Sequence, residues 1–266
     1  MLTMNHICKT FYPNSPDRRI ILKDFSLSLE KGEFISVIGS NGAGKSTLFN
    51  LIAGSILPDS GKIILGHQDI TFLSEHKRAV WIGRIFQDPS KGTAPNLTVE
   101  ENLSIAYMRS KKSHLLRGIT KKDKAFLRER ISFLDMGLEN RMNTKIGLLS
   151  GGQRQAVTLT MATLVKPKLL LLDEHTAALD PITAEKITEL TQSIVSSEHI
   201  TTMMITHNLT TAIKTGSRLL MMDEGKIAVD IKGEEHSKLT VSNLLERFSQ
   251  NTKKNLNSDR MLLQYD

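Results

Sequence analysis

The sequence predicts an α/β fold with a largely parallel central sheet and a helical segment inserted into it. Short apolar runs bounded by turn residues alternate with helical patterns, as expected of strands joined by crossover helices. Strand character vanishes from Ser90 to about Leu149 and returns beyond it. A chain of 266 residues, 39% hydrophobic and 24% charged, has the composition of an ordinary globular protein and the length for one large domain or a domain with a subdomain.

Each element has its own signal. EFISVIG, Glu33 to Gly39, is a β-rich run ending in a glycine loop, and KSTLFNLIAG then reads as a helix stopped at Gly54. LPDSGKIILG reads as a turn and an edge strand, and AVWIGRIF, Ala79 to Phe86, as a strand ending at Gln87. TVEENLSIAYMRS and KAFLRERISFLDMGL carry the helical insertion. KLLLLDE, ITTMMITHN and SRLLMMDEGKIAVD restore strand character, the last as a hairpin hinged on Glu224 and Gly225. After Gly233 one helix, TVSNLLERFSQ, precedes a polar end, NTKKNLNSDR, expected to be mobile. The resulting division is an α/β core over 1–89 and 150–232, a helical subdomain over 90–149, and a C-terminal helix and tail over 233–266.

Composition narrows the functional classes. No apolar run approaches the ~20 residues that cross a bilayer, and the N-terminus lacks the apolar core of a signal peptide, so a cytosolic location is expected. Cys8 is the single cysteine, which excludes an intrachain disulfide and suits a reducing compartment. The net charge of +7 and isoelectric point near 9.4 are compatible with nucleic acid, anionic lipid or nucleotide alone. Arg109 to Arg130 is rich in Lys and Arg, and reads either as a solvated helix and loop or as a face near anionic headgroups.

GSNGAGKST matches the phosphate-binding pattern G-x-x-x-x-G-K-[ST] from Gly39 to Ser46, between a predicted strand and a predicted helix as its mechanism requires. Gly39, Gly42 and Gly44 let successive N–H groups converge on phosphates, with Asn41 in the same loop. Lys45 is expected to reach the β- and γ-phosphates, the Ser46 hydroxyl to sit at Mg²⁺, and Thr47 to serve the α-phosphate. The metal also needs a carboxylate. In isolation Asp173-Glu174 would read as a solvated strand end. After the apolar run KLLLL it emerges at the carboxyl edge of a buried strand, where ligands of open α/β sheets bind. Asp173 is then the expected Mg²⁺ partner and Glu174 the base that polarises the attacking water. Gln87 ends its strand, where its amide is expected to touch metal and water. His207 ends the next strand, placed to hydrogen-bond the γ-phosphate and hold Glu174.

A second cradle lies in LLSGGQRQ. Ser150, Gly151 and Gly152 present a hydroxyl and backbone N–H groups at the start of a helix expected from about Gln153 to Val165. This helix belongs to another lobe than Lys45, and a head-to-tail dimer resolves the geometry: each chain's P-loop holds ATP and the other chain's LSGGQ closes over it.

GSNGAGKST, LSGGQ, LLLLDE, Gln87, AALD (Ala177 to Asp180) and His207, in this order and spacing, resemble the ATP-binding subunits of ABC transporters, over nearly the whole chain to about residue 230. The resemblance implies an N-terminal antiparallel β subdomain beside a P-loop NTPase core, with ATP and Mg²⁺ as cofactors. It assigns Ser150 and Gly152 to the partner's nucleotide, with Gly151 and Gln153 in the same nucleotide-binding turn, and Asp180 to the loop that signals between sites. Adenine is expected to stack on Phe11, with Tyr12 as the fallback and a buried core aromatic as the alternative. The implied partners are a second copy or a paralogous cassette, polytopic permease subunits at the cytoplasmic face of the membrane, and indirectly an extracytoplasmic substrate-binding protein. DEHTAALD and FQDPSKGTAPNLTVEENL are similar to bacterial uptake cassettes, some associated with aromatic amino acids such as tryptophan. The chain departs from the family at His175, which stands where proline is usual and is expected to perturb the backbone or titrate near neutrality. A soluble ATPase of iron–sulfur cluster assembly is the rival reading. A nucleic-acid ATPase is disfavoured by the single P-loop and the absence of sustained heptads.

Overall fold

The computed structural model describes residues 1–109 and 118–252, so positions 110–117 of the basic run and the polar end from 253 lie outside the described residues. The chain forms two compact units, one from Met1–Ala79 and the chain from Ile200 onward, the other from Val80–His199.

The first unit opens with β1 (Leu2–Phe11) and β2 (Arg19–Leu29), paired antiparallel with Leu2 opposite Leu29. Leu2, Met4 and Ile7 of β1 face Leu22, Phe25, Leu27 and Leu29 of β2 in a buried layer. β3 (Phe34–Gly39) is buried at every position, which is why its sequence is continuously apolar rather than alternating. α1 (Lys45–Ala53) stops at Gly54, whose φ of 86° only glycine adopts readily and whose N–H donates to the Asn50 carbonyl. β4 (Ser60–Leu65) pairs antiparallel with β1 on one side and with the two-residue β5 (Gln68–Asp69) on the other, giving the order β2-β1-β4-β5. β4 is therefore not the edge strand expected from the sequence; β5 covers its outer side. α2 (Glu75–Arg78) ends in a fully buried arginine. Arg78 donates to the carbonyls of Leu51, Ile52, Thr71 and Leu73, and burial lowers its pKa to about 10, which leaves it charged. This cation serves the orphan carbonyls at the C-terminal end of α1 and so fixes the P-loop helix from behind.

The second unit runs β6 (Ile82–Ile85), α3 (Val99–Met108), α4 (Lys121–Ser132), α5 (Gly151–Thr163), β7 (Leu169–Asp173) and α6 (Pro181–Glu198). β6 and β7 pair parallel, with Ile82 beside Leu169 and Ile85 beside Leu172. β6 is shorter than the predicted Ala79 to Phe86, and α5 starts two residues earlier than expected, at Gly151. α3 and α4 each begin with a reciprocal cap, Thr98 with Glu101 and Thr120 with Asp123. Leu103 of α3, Leu127 and Ile131 of α4, Val157 of α5 and Ile187 of α6 share one buried apolar cluster. Packing is thus continuous across position 150.

The chain returns to the first unit with β8 (Thr201–Ile205), α7 (Leu209–Lys214), β9 (Arg218–Asp223), β10 (Lys226–Lys232), α8 (Glu234–Ser237) and α9 (Val241–Thr252). β3 lies between β8 and β9, parallel to both, and β9 and β10 form the expected hairpin through Glu224 and Gly225. Leu244 and Phe248 of α9 are buried against Leu219 and Met221 of β9 and Ile231 of β10.

Candidate functional site

In the first unit β3 delivers the chain into the loop Gly39–Thr47. Gly39 has φ 146°, and a Cβ there would lie 2.2 Å from the Met222 carbonyl oxygen of β9, so the strand can end here only with glycine. Gly44, in the left-handed region at φ 99°, caps α1 without a side-chain hydrogen bond, and no acid stands in the first turn. The cap residue therefore supplies no side chain to the positive end of the helix. Lys45 is nearly buried, and its Nζ donates to the Gly39 carbonyl at 2.7 Å and the Ser40 carbonyl at 2.9 Å. Asn41, Gly42 and Ser46 are exposed and Thr47 is half-buried. The β9–β10 turn braces the loop: Ser40 Oγ donates to Asp223 Oδ1 at 3.3 Å and Gly225 N–H to the Ala43 carbonyl at 3.0 Å. His207, half-buried, follows β8, whose Ile205 is in register with Val37 of β3, so it lies at the same sheet end as the loop. At the end of β1, Phe11 is half-buried and Tyr12 is 66% exposed, with ring centroids 6.5 Å apart. Neither is a buried core aromatic.

In the second unit Asp173 and Glu174 leave the C-terminal end of β7. Burial pushes the Asp173 carboxyl up from the ordinary carboxylate value, and the Arg84 guanidinium, 3.5 Å from its Oδ2, works against that shift. Gln87 Nε2 donates to Glu174 Oε2 at 3.1 Å, which sets Gln87 against the carboxylate that follows Asp173 in the chain. Glu174 adopts φ 47°. His175 is 4% exposed, and burial lowers its pKa to about 4, so the expectation that it titrates near neutrality is corrected: it stays neutral. Thr191 Oγ1 donates to the Ile187 carbonyl and lies 3.3 Å from His175 Nε2, which makes the imidazole Nε2–H the donor of that contact.

α5 begins with a complete reciprocal cap. Ser150 Oγ accepts from Gln153 N–H at 3.2 Å, and Gln153 Oε1 accepts from Ser150 N–H at 3.3 Å and from Arg141 Nη1 at 3.0 Å. Gly152 is buried, and a Cβ on it would lie 2.2 Å from Thr183 Cγ2; one on Gly151 would lie 3.4 Å from Leu179 Cδ2. The start of α5 thus packs on the turn before α6. There Asp180 accepts from Thr183 N–H at 3.0 Å, and hydrogen bonds from Thr183 hold its carboxyl below the usual range.

The donor set fits a nucleotide with a hard divalent cation. In the first unit a glycine loop, a glycine-capped helix start and a lysine are groups of the kind that bind polyphosphate. A hydroxyl and a carboxylate suit Mg²⁺, which keeps waters and shares phosphate oxygens rather than using a protein cage. Among the described residues no group of three or more His, Cys, Asp or Glu is placed to hold a metal by itself. Sequence reasoning missed Arg84 and Arg141. Arg84 had a signal, a charged residue inside the apolar strand IGRIF; Arg141 had none.

The ABC transporter family model matches residues 22–177. A tyrosine transport ATP-binding protein of Clostridioides difficile is 44% identical over 248 residues, covering 93% of this chain and 98% of that protein. A sulfate/thiosulfate import ATP-binding protein of Chromobacterium violaceum is 41% identical over 209 residues, covering 77% of this chain and 53% of that protein. Among solved structures, a dimeric post-hydrolysis state of the ATP-binding cassette MJ0796 bound to ADP and Pi superposes with a TM-score of 0.76 at 27% identity, covering 87% of this chain and 98% of that one.

Proposed function

The chain belongs to the ABC transporter ATP-binding family, and from that membership we propose that it is the ATP-hydrolysing subunit of a bacterial importer of a small solute, an aromatic amino acid. It is an ATPase that uses ATP and Mg²⁺. The solute reading rests on the tyrosine transport relative, which matches this chain nearly end to end. No helix among the described residues is long and apolar enough to cross a membrane. The subunit docks on polytopic permease subunits at the cytoplasmic face, and a substrate-binding protein delivers the solute on the other side.

The observation that carries the hydrolytic reading is the Gln87–Glu174 hydrogen bond beside Asp173. In this reading Glu174 accepts the proton of the water that attacks the γ-phosphorus, and Gln87 holds that carboxylate in place. A general base of this kind contributes roughly 10²–10⁴ in rate. Asp173 and Ser46 would hold Mg²⁺, which would neutralise charge on the phosphate oxygens. Lys45 exchanges its loop carbonyls for the β- and γ-phosphates, a stronger, charge-assisted pairing. His207 binds the γ-phosphate, and Phe11 or Tyr12 stacks on adenine. The α/β core over 1–89 and 150–232 thus carries nucleotide, and the helices over 90–149 couple it to the permease.

Two chains close head to tail over two nucleotides, with Ser150, Gly151, Gly152 and Gln153 of each meeting the γ-phosphate held by the other. A ligand shifts such an equilibrium only through contacts made in one state. Going from mostly open to mostly closed takes about 5.5 kcal/mol of preference, which two γ-phosphates bonded on both sides supply. Hydrolysis removes those contacts and reopens the dimer. The test is Glu174→Gln purified from native membranes in mild detergent with ATP. The expected result is a stable ATP-bound dimer, no turnover and a stoichiometric polytopic permease identified by mass spectrometry. Retained steady-state hydrolysis would refute the base, and a soluble scaffold in place of a permease would refute transport.

A further inference from the structure

The C-terminal end of β6 supplies two side chains to the two carboxylates that leave β7: Gln87 to Glu174 and Arg84 to Asp173. The second contact has no place in the reading above. Parallel pairing sets Arg84 beside Leu171, two residues before Asp173, so its side chain can run along the sheet to the strand end. The guanidinium is oriented from its other face, with Cζ 4.6 Å from the centroid of the Phe86 ring. Its side chain is only 12% exposed and that of Asp173 18%, so the pair is largely shielded from water. Arginine differs from lysine in this setting: its planar fork is always charged, stacks on an aromatic face and approaches a carboxylate in a fixed orientation.

We propose that Arg84 is a positioning residue for Asp173, fixing the carboxylate through Oδ2 in the rotamer that receives Mg²⁺. The alternative physical outcome is competition, in which a cation beside the metal ligand repels the metal. Orientation dominates here because the Phe86 ring holds the guanidinium in place, whereas an unrestrained carboxylate at a strand end would have to be ordered by the metal itself. Partners that orient metal ligands typically contribute 10–100-fold to metal affinity. The proposal rests on the assignment of Asp173 as the metal carboxylate.

The experiment measures binding of a fluorescent ATP analogue to the full chain, first in EDTA and then across a Mg²⁺ titration, with bound Mn²⁺ counted by electron paramagnetic resonance. The variants are Arg84→Gln, Arg84→Lys and Asp173→Asn. In Arg84→Gln the metal-free affinity is expected to stay within about twofold, while the Mg²⁺ concentration for half-maximal effect rises about 10–100-fold. Arg84→Lys, which keeps charge but loses the fork, is expected in between and carries the test if Arg84→Gln does not fold. Asp173→Asn is expected to abolish the metal dependence. Loss of that dependence in Asp173→Asn with an unchanged or lower Mg²⁺ requirement in the Arg84 variants overturns this proposal alone. Full metal dependence in Asp173→Asn overturns the Asp173 assignment and the role of Arg84 with it.

Discussion

Two helices in this chain begin at glycine-rich turns, and the turns are finished in opposite ways. α1 starts at a left-handed Gly44 with no side-chain cap and no acid in its first turn. α5 starts at Ser150, whose hydroxyl takes the Gln153 N–H, while Gln153 returns its amide oxygen to Ser150 N–H with Arg141 on the same atom. The first end leaves its positive pole without a cap side chain or a first-turn acid, as the proposed nucleotide site requires. The second has already satisfied part of that demand internally, which accords with the proposal that it adds to a phosphate held by the partner chain. The two helix starts thus differ by one capping interaction, the physical difference on which the proposed division of labour rests.

The largest expected effect comes from putting a side chain into the open end. Gly39→Ala sets a Cβ 2.2 Å from the backbone oxygen of Met222, with which Gly39 is in sheet register, and neither can yield. Urea denaturation is expected to give a loss above about 4 kcal/mol. Gly42→Ala meets nothing within 4 Å at φ 81° and should cost only left-handed strain, about 1–2 kcal/mol. Equal losses in the two variants would break the account of the loop.

Acid probes the closed side. His175 has a folded pKa near 4 against an ordinary 6.5, so the unfolded chain takes up the proton first as pH falls below 6.5. Its contribution is constant above about pH 7 and turns unfavourable between pH 6.5 and 4, with about 2 kcal/mol lost at pH 5. Below the folded pKa no more is lost. Denaturant midpoints at pH 5 and 8 for the wild type and His175→Gln check this; the substitution should flatten the dependence, and an unchanged slope would show another group to be responsible.

Ser150→Ala separates capping from ligand binding. Loss of the cap is expected to cost about 1 kcal/mol, recovered in Ser150→Thr, while ATP binding to a single chain stays unchanged and dimer-dependent hydrolysis falls. A stability loss with normal hydrolysis would reduce Ser150 to a cap. The smallest effect converts the open end toward the closed kind. Thr47→Asp, in the acid-free first turn of α1, should stabilise the nucleotide-free protein by about 0.3–1 kcal/mol and weaken ATP affinity. Tighter binding in an equilibrium titration would contradict the electrostatic picture of that helix end.

Elements defined by neighbouring residues were legible in the sequence, and those defined by distant pairing were not. Gly54 stops α1 as expected, and the hairpin turns at Glu224 and Gly225. That β4 is not an edge is not legible locally, because β5 has two residues, too few to leave a periodic trace. The start of α5 at Gly151 is hidden in the sequence because Ser150 itself is the cap and glycine at the first helical positions disguises the helix.

By itself, then, the sequence determined the P-loop, the LSGGQ turn, the apolar strand ending in Asp173-Glu174 and the succession of strands and helices. Each depends on backbone freedom, capping or burial periodicity over a few consecutive residues. Tertiary structure alone decided that Arg84 faces Asp173 across 89 residues of chain, that Gln87 meets Glu174, that Arg78 anchors the end of α1, and that His175 is neutral. The first two follow from strand register, which sets distant residues side by side, and the last two from burial, where hydrogen bonding and protonation are set by neighbours in space.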